Sequence, residues 1–468
     1  MMRDLTRGRP LGLIAAFAVS LLAANLMSQI YSLVDSVMVG RLVAPEGIGA
    51  IGATGNIISV ANTLGGGIIS GFGITLGRYW GAGQKDKLRR VMANIWYLTT
   101  AMSLLLMVTV ALTLRPMLRI THVPEELLPM ALDYTYIVIY SMPLSFFGGV
   151  FGTAFRSLGD SKTPLLTSLI GGAANVGYNY LFMRVIPLGI AGAAIGTALS
   201  AGTSLLLNLV FFCRRLPMLR VRRADARPLF GEMGRLFLVG FPVGLQNSIT
   251  SISGVILQDA INRQGMEAVT GVATGNKIVG MIWVMIATIE TTLIFFAAQN
   301  RGAMEVRRIR QGMRETAFAT LALMAVITLA VDLLGERLFV PFVGHDETLL
   351  SIAADMVRTQ LWFFPFMVML SMLRGTVQGM GYTAPAAICG VMELTARFVV
   401  SRTAKTLRAL YFAGPAAWVL TTLFLAVLYP FLLRRLYRRV EDEKRLRLPA
   451  PCAATAAVPD AEEQHAAV

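Results

Sequence analysis

Long apolar runs alternate with short charged segments along almost the whole chain. Stretches free of Asp, Glu, Lys and Arg occupy 10–34, 47–77, 91–114, 134–155, 163–183, 185–213, 236–258 and 409–433. A helix rises 1.5 Å per residue and bilayer hydrocarbon is about 30 Å thick, so ~20 apolar residues suffice to span it. Each of these eight runs is long enough. The stretch 264–408 is interrupted by Lys277, Glu290, Asp332, Arg374, Glu393 and Arg397, yet it has room for four more spans near 268–300, 312–335, 347–374 and 381–402. The pattern predicts an all-α polytopic membrane protein with twelve transmembrane helices.

The apolar pattern repeats. The tetrapeptide ATGN occurs at 53–56 and again at 273–276, a shift of 220 residues. Pro143 pairs with Pro365 and Gly159 with Gly381 at a shift of 222, and Pro164 pairs with Pro385 at 221. WGAGQKDKLRR at 80–90 parallels NRGAMEVRRIR at 300–310. Shifts that agree this closely over most of the chain predict two homologous halves of six helices, forming two pseudo-symmetric bundles. An even number of helices per half makes the repeat parallel, with a central cleft between the lobes. The expected organisation is a short cytoplasmic N-terminus at 1–10, an N-lobe at 11–213, a basic cytoplasmic linker at 214–235, a C-lobe at 236–433 and a disordered cytoplasmic tail at 434–468.

Composition agrees with a membrane solvent: 55% of the 468 residues are hydrophobic and 15% are charged, against about 25% charged in soluble domains. The net charge of +15 raises the question of nucleic acid. That reading needs the basic residues gathered on one soluble face, whereas here they lie scattered between apolar runs, so no nucleic-acid partner is expected. They act as topology signals, because Lys and Arg bias a loop to stay cytoplasmic. Arg3, Arg7 and Arg9, then Lys85, Lys87, Arg89 and Arg90, then the linker arginines 214–227, then Arg307, Arg308, Arg310 and Arg314, and finally Arg434, Arg435, Arg438 and Arg439 fall on alternate flanks. Both termini are expected in the cytoplasm, with the chain in a bacterial inner membrane. Arg402, Lys405 and Arg408 break the rule, since the alternation calls for an outer loop there. The opening MMRDLTRGRP has no small-residue cleavage site behind a short apolar region, so the first helix is expected to be retained.

Candidate chemistry starts at Asp35, within QIYSLVDSVMVG at 29–40. It follows the uncharged run 10–34, so its carboxylate lies in the bilayer or at its edge, where an acid is costly and is usually aimed at a polar cavity for ions or protons. Asn175 and Asn179 are four apart and share a helix face, and Thr197 lies on the next helix. A carboxylate, two amide carbonyls and a hydroxyl make a suitable oxygen set for a small cation such as Na⁺ at Asp35, Asn175 and Asn179, or for a proton-bearing acid. The asparagines equally suit hydrogen bonding between helices. Shifted by the repeat, Asp35 lands on Val255 or Ile256, so the second half has no matching acid. In that half, Glu393 and Arg397 are four apart and are expected to pair within one helix. Lys277 and Glu290 are thirteen apart, about 220° out of register, which leaves Glu290, with Lys277 nearby in sequence, as the second-lobe charge for a cavity. No GxxxxGK[ST] loop is present, so ATP does not drive the chain directly. No membrane His, Cys pair or Ser-His arrangement suggests an enzyme, and no cofactor is expected beyond a coupling ion.

Several of these segments together resemble a known family. YSLVDSVMVGRL at 31–42, GRYWGAGQKDKLRR at 77–90, AAQNRGA at 297–303, FRSLGDSKTP at 155–164, GIAGAAIGTALS at 189–200, GFPVGLQNSI at 240–249 and GYTAPAAICGVMELTARF at 381–398 are similar to the multidrug and toxic compound extrusion (MATE) transporters. The resemblance spans about 10–435. It implies two six-helix bundles around a cleft and the export of organic, often cationic compounds in exchange for H⁺ or Na⁺. It places the family's first-helix acid on Asp35, its Asn-x-x-x-Asp pattern on Asn175 and Asn179, and its next-helix threonine on Thr197. Two departures matter: Asn179 stands where the second acid is expected, and Ser20 stands where helix 1 usually carries a proline. With these departures Asp35 alone is left either to cycle between protonated and ionised states or to bind Na⁺ with amide oxygens; the expectation is a monomeric secondary antiporter, with a lipid-linked saccharide flippase of the same wider superfamily as the alternative.

Overall fold

A computed structural model describes residues 3–43, 45–120, 123–222, 225 and 227–447. Arg223 of the expected linker, His122 and residues 448–468 of the expected tail lie outside them. The first half forms α1 (Pro10–Leu42), α2 (Pro45–Gly81), α3 (Lys85–Ile120), α4 (Leu128–Tyr140), α5 (Met142–Ser157), α6 (Lys162–Tyr180) and α7 (Ile190–Arg215). The second half forms α8 (Phe230–Asn262), α9 (Met266–Gly302), α10 (Val306–Leu334), the single turn α11 (Val340–Val343), α12 (Glu347–Gly379), α13 (Ala384–Thr403), the single turn α14 (Leu407–Leu410) and α15 (Ala413–Arg447). The helix of α15 runs to Arg447, so 434–447 is a helical extension rather than part of a disordered tail.

Among the described residues ten helices are long and apolar enough to cross a membrane, and α4 with α5 forms an eleventh crossing bent by 43°. The bend sits at Ser141 and Met142, just before Pro143. Proline supplies no N–H and disfavours helical geometry in the residue before it. The Ser141 hydroxyl donates to the Val138 carbonyl at 2.8 Å, beside the Ser141 N–H that donates to the same oxygen at 3.2 Å. The remaining helix, α6, is the least apolar because it carries Gly171, Gly172, Asn175, Tyr178 and Asn179. It packs between α1 and α7 and ends in a π turn at Leu181–Val185, a geometry often found at functional sites. The twelve-crossing pattern of two six-helix bundles is thus present, and α1 is continuous through Ser20.

The lobes meet chiefly through α2 against α8 and α9, and through α1 against α9. Glycine makes this approach possible. A Cβ added at Gly67 would lie 2.5 Å from the Gly244 Cα, and one at Gly71 would collide with Gly240. Further toward the end of the bundle that carries the N-terminus, Gln299 Nε2 donates to the Ser157 carbonyl at 2.8 Å. Arg3 N donates to the Gly159 carbonyl at 3.2 Å and Leu5 N to Gln299 Oε1 at 3.1 Å, while Asn300 Nδ2 donates to the Leu5 carbonyl at 3.1 Å. Residues 3–8 therefore lie across the seam as a strap, with Leu5 fully buried.

Burial along the helices is lopsided. In α9, residues 292–300 are buried on every side, whereas 276–286 bury one face only. In α12, residues 370–380 are likewise buried all round, and the opposite half is not. The two lobes are pressed together at the end bearing residue 3 and the basic loops. The cleft opens toward the other end.

Candidate functional site

Asp35 lies in the last third of α1, about 10 Å from its end at 1.5 Å per residue. It is partly buried. One carboxylate oxygen accepts a hydrogen bond from Asn179 Nδ2, the same amide that donates to Asn175 Oδ1 at 3.2 Å. Asn175 Nδ2 in turn donates to Ser200 Oγ on α7 at 3.4 Å. The spacing explains the set: residues 175 and 179 stack on one face of α6, and α6 is gripped by α1 on one side and α7 on the other. Asn179 is completely buried, and its Oδ1 has no hydrogen-bond partner. A buried carbonyl oxygen without a donor costs about 1–3 kcal/mol. The amide turns its Nδ2 toward Asp35, and its Oδ1 packs against Gly196 of α7, where an added Cβ would collide with it.

Thr197 is brought alongside but is not a direct partner. Its hydroxyl donates to the Ala193 carbonyl of its own helix at 3.1 Å, and Ser200 links it to the asparagines by donating to the Thr197 carbonyl at 2.9 Å. One neighbour was not foreseen from sequence, Ser200, which accepts from Asn175 Nδ2. It was legible as the residue three along from Thr197.

The second lobe differs from expectation. Glu290 does not present a free acid to a cavity. Arg374 of α12 clamps it in a bidentate pair, Nε to Oε1 at 2.7 Å and Nη2 to Oε2 at 2.8 Å. Arg374 also reaches Glu393 Oε1 at 3.2 Å, and Thr250 donates to Glu393 Oε2 at 3.2 Å. The expected pair between Glu393 and Arg397 is therefore not formed: the planar guanidinium of Arg374 has donors enough for both acids, and Arg397 instead donates to Ser253 Oγ at 2.8 Å. Lys277 is exposed and sits 4.9 Å from the Phe342 ring centre, remote from this cluster. At the open end, Arg408 pairs with Asp355 at 2.7 Å, which neutralises one of the three basic residues that disturbed the charge pattern.

The geometry thus separates two kinds of charge. Within the polar cluster of the first lobe, the Asp35 carboxylate is bonded to one neutral amide, that of Asn179, and to no cation among the described residues. The second holds two carboxylates locked by arginine.

Comparison with known proteins bears on what such an arrangement serves. The model of the family described as MatE matches residues 21–181 and 242–403, one match in each half. The probable multidrug resistance protein YoeA of Bacillus subtilis (strain 168) is 24% identical over 432 residues, covering 90% of this chain and 93% of that protein. Among solved structures, a MATE protein in its bent conformation superposes with a TM-score of 0.85 at 19% identity, over 93% of this chain and 98% of that one. The outward-facing conformation of a multidrug resistance MATE transporter of the MOP superfamily gives 0.83 at 19% identity, over 92% and 98%.

Proposed function

Because the chain belongs to the MatE family, we propose that it is a secondary antiporter that exports small organic, cationic or amphipathic molecules in exchange for H⁺ or Na⁺. It is a multi-pass membrane protein of this transporter family rather than an enzyme. The observation that carries the antiport reading is the isolated carboxylate of Asp35, hydrogen-bonded to Asn179 and next to the unpartnered Asn179 Oδ1.

In this reading the closed end of the bundle, which carries the basic flanks, faces the cytoplasm, and both termini are cytoplasmic. The conformation is then outward-facing, with Asp35 accessible to the external ion. An H⁺ would load on the Asp35 carboxylate. A Na⁺ would be held by that carboxylate with Asn179 Oδ1 and Asn175 Oδ1, the oxygen donors that a hard cation prefers. Either ion cancels the charge of Asp35. A neutral site is cheaper to bury between closed lobes than a charged one, so ion loading favours closure of the outer end, opening of the inner end and release of the ion down its gradient. Substrate then enters from the cytoplasm and returns the lobes to the outward state.

Two observations support such a movement of the lobes. The closest approaches of α2 and α8 are backbone to backbone at Gly67 with Gly244 and Gly71 with Gly240, with the Leu64, Ile68 and Asn247 side chains alongside, so less side-chain interdigitation opposes sliding than at a contact without glycine. The inner closure also rests on a few neutral hydrogen bonds around Gln299 and Leu5, each worth about 1 kcal/mol. The test is uptake of a fluorescent organic cation into inside-out vesicles under imposed pH and Na⁺ gradients, applied separately. Gradient-dependent, saturable uptake supports antiport and identifies the ion. Movement of a lipid-linked saccharide with no response to either gradient favours the flippase reading.

A further inference from the structure

The repeat that relates the lobes also relates their sites. At the shift of 222 that pairs Gly159 with Gly381, Asn175 corresponds to Arg397 and Asn179 to Ser401. At 221, Ser32 corresponds to Ser253, and Asp35 has Ile256 in its place. The C-lobe copy of the ion site has therefore lost its acid and gained a guanidinium. We propose that this copy, between α8 and α13, is a subsite for an anionic group, a carboxylate or phosphate, carried by the transported molecule. The proposal deepens the export reading and rests on it for the identity of the ligand as cargo.

Three features of the structure support a site rather than a remnant. First, a cavity of about 370 Å³ lies between the two helices, with Ile256, Asp259, Arg263, Ser401 and Arg402 among its walls. Second, polar atoms at and beside it are buried and unused: Ser401 Oγ, on its wall, and Arg397 Nε, one turn away on α13, both lack a hydrogen-bond partner among the described residues. They lie on one face of α13, four residues apart, as Asn175 and Asn179 do on α6. Third, the local balance is positive. Arg263 is paired with Asp259 at 2.8 Å, whereas Arg402 lies over the Phe398 ring at 5.4 Å and forms no ion pair among the described residues.

Glu393 is the acid that would compete for Arg397, one turn away on the same helix. Its two oxygens are already taken by Arg374 and Thr250, and it forms no ion pair with Arg397. Glu290 is held by Arg374 in the same way. The Arg397 guanidinium is left with one hydroxyl partner, and planar guanidinium donors are well matched to carboxylate and phosphate oxygens. Ser401 and Arg402 line the cavity, and Arg397 lies one turn before Ser401 on α13, beside its walls. The pair of lobes would then hold opposite ends of a zwitterionic substrate, the cationic part toward the acid of the N-lobe and the acidic part on α13.

A matched pair of dyes tests this: a rhodamine bearing a free benzoate, and its methyl ester. Binding is measured by fluorescence anisotropy on the purified full-length protein, without any ion gradient, so that the result is independent of coupling. The wild type is expected to bind the acid at least tenfold more tightly than the ester. Arg397→Gln should bring that ratio to within twofold, Ser401→Ala should reduce it several-fold, and Arg397→Lys should keep part of it. Thermal unfolding of each variant reports whether it is folded, and Ser401→Ala carries the test if Arg397→Gln is not. Absence of preference in the wild type, or a preference that survives both Arg397→Gln and Ser401→Ala, overturns the proposal. Gradient-driven uptake of the same dyes is read separately. Selective binding without coupled uptake keeps the subsite and refutes antiport.

Discussion

Replacing Arg374 by methionine removes the cation that holds Glu290 and Glu393 but keeps the length of an apolar side chain. Both acids are buried, and the substitution removes three hydrogen bonds, of 2.7, 2.8 and 3.2 Å. Arg397, one turn along α13, is free to turn to Glu393. Glu290 then has no cation. Removing one partner of a buried pair typically costs ~3–5 kcal/mol, because the remaining charge is left uncompensated. Unfolding in mixed detergent micelles, followed by tryptophan fluorescence, gives the value. Adding Glu290→Gln to Arg374→Met should restore most of the loss. A deficit below ~1 kcal/mol would refute the description of Arg374 as the clamp on these acids.

Other expectations follow from the seam and the ion site. Gly67→Val places side-chain atoms against the Gly244 backbone, where no flexible neighbour can give way; labelling of cysteines introduced along the closed end should rise several-fold as the lobes are forced apart. Gln299→Ala removes the acceptor for Leu5 N and the donor to the Ser157 carbonyl, so amide hydrogen exchange over residues 3–8 should accelerate about tenfold, corresponding to the loss of roughly one hydrogen bond. Asn179→Asp puts a second carboxylate against Asp35, and two acids this close cannot both ionise at little cost. The pH at which uptake is half-maximal should move upward by a unit or more, as read from a pH profile of transport in vesicles; an unchanged profile would show that residue 179 does not face the coupling acid.

Much of the architecture was legible because lipid leaves so few choices. The uncharged runs located the crossings, and the repeated prolines and glycines at shifts near 221 revealed the two halves before any contact was known. The polar trio of Asp35, Asn175 and Asn179 was also legible: helical periodicity put the asparagines on one face, and the rarity of acids in apolar runs singled out Asp35. What failed was the partner assignment in the second lobe. Glu393 and Arg397 satisfy the i, i+4 rule, but that rule describes isolated helices, and it lost to Arg374, a guanidinium from another helix that meets two acids at once. The sequence did contain a signal, since Arg374 sits in a crossing with no acid of its own nearby. Pairing it with Glu290 or Glu393 required knowing that α12 packs against α9. Thr197 taught a similar lesson, because a membrane threonine can satisfy itself on its own helix, and its hydroxyl does so here. The reach of α15 to Arg447 was hidden by charge: EDEKRLR at 441–447 is polar all round, yet it continues a helix already formed.

The central claim is that coupling resides in the N-lobe carboxylate while the acids of the C-lobe are structural. The most direct measurement compares ion-driven uptake by wild type, Asp35→Asn and the folded double variant Glu290→Gln with Arg374→Met, at matched protein levels in the same vesicles. The account predicts that Asp35→Asn abolishes the gradient-dependent component, whereas the double variant, which removes the buried Glu290–Arg374 pair together and leaves Glu393 to Arg397, retains it. Coupled uptake that survives in Asp35→Asn and disappears in the double variant would place the coupling site in the second lobe and contradict the account.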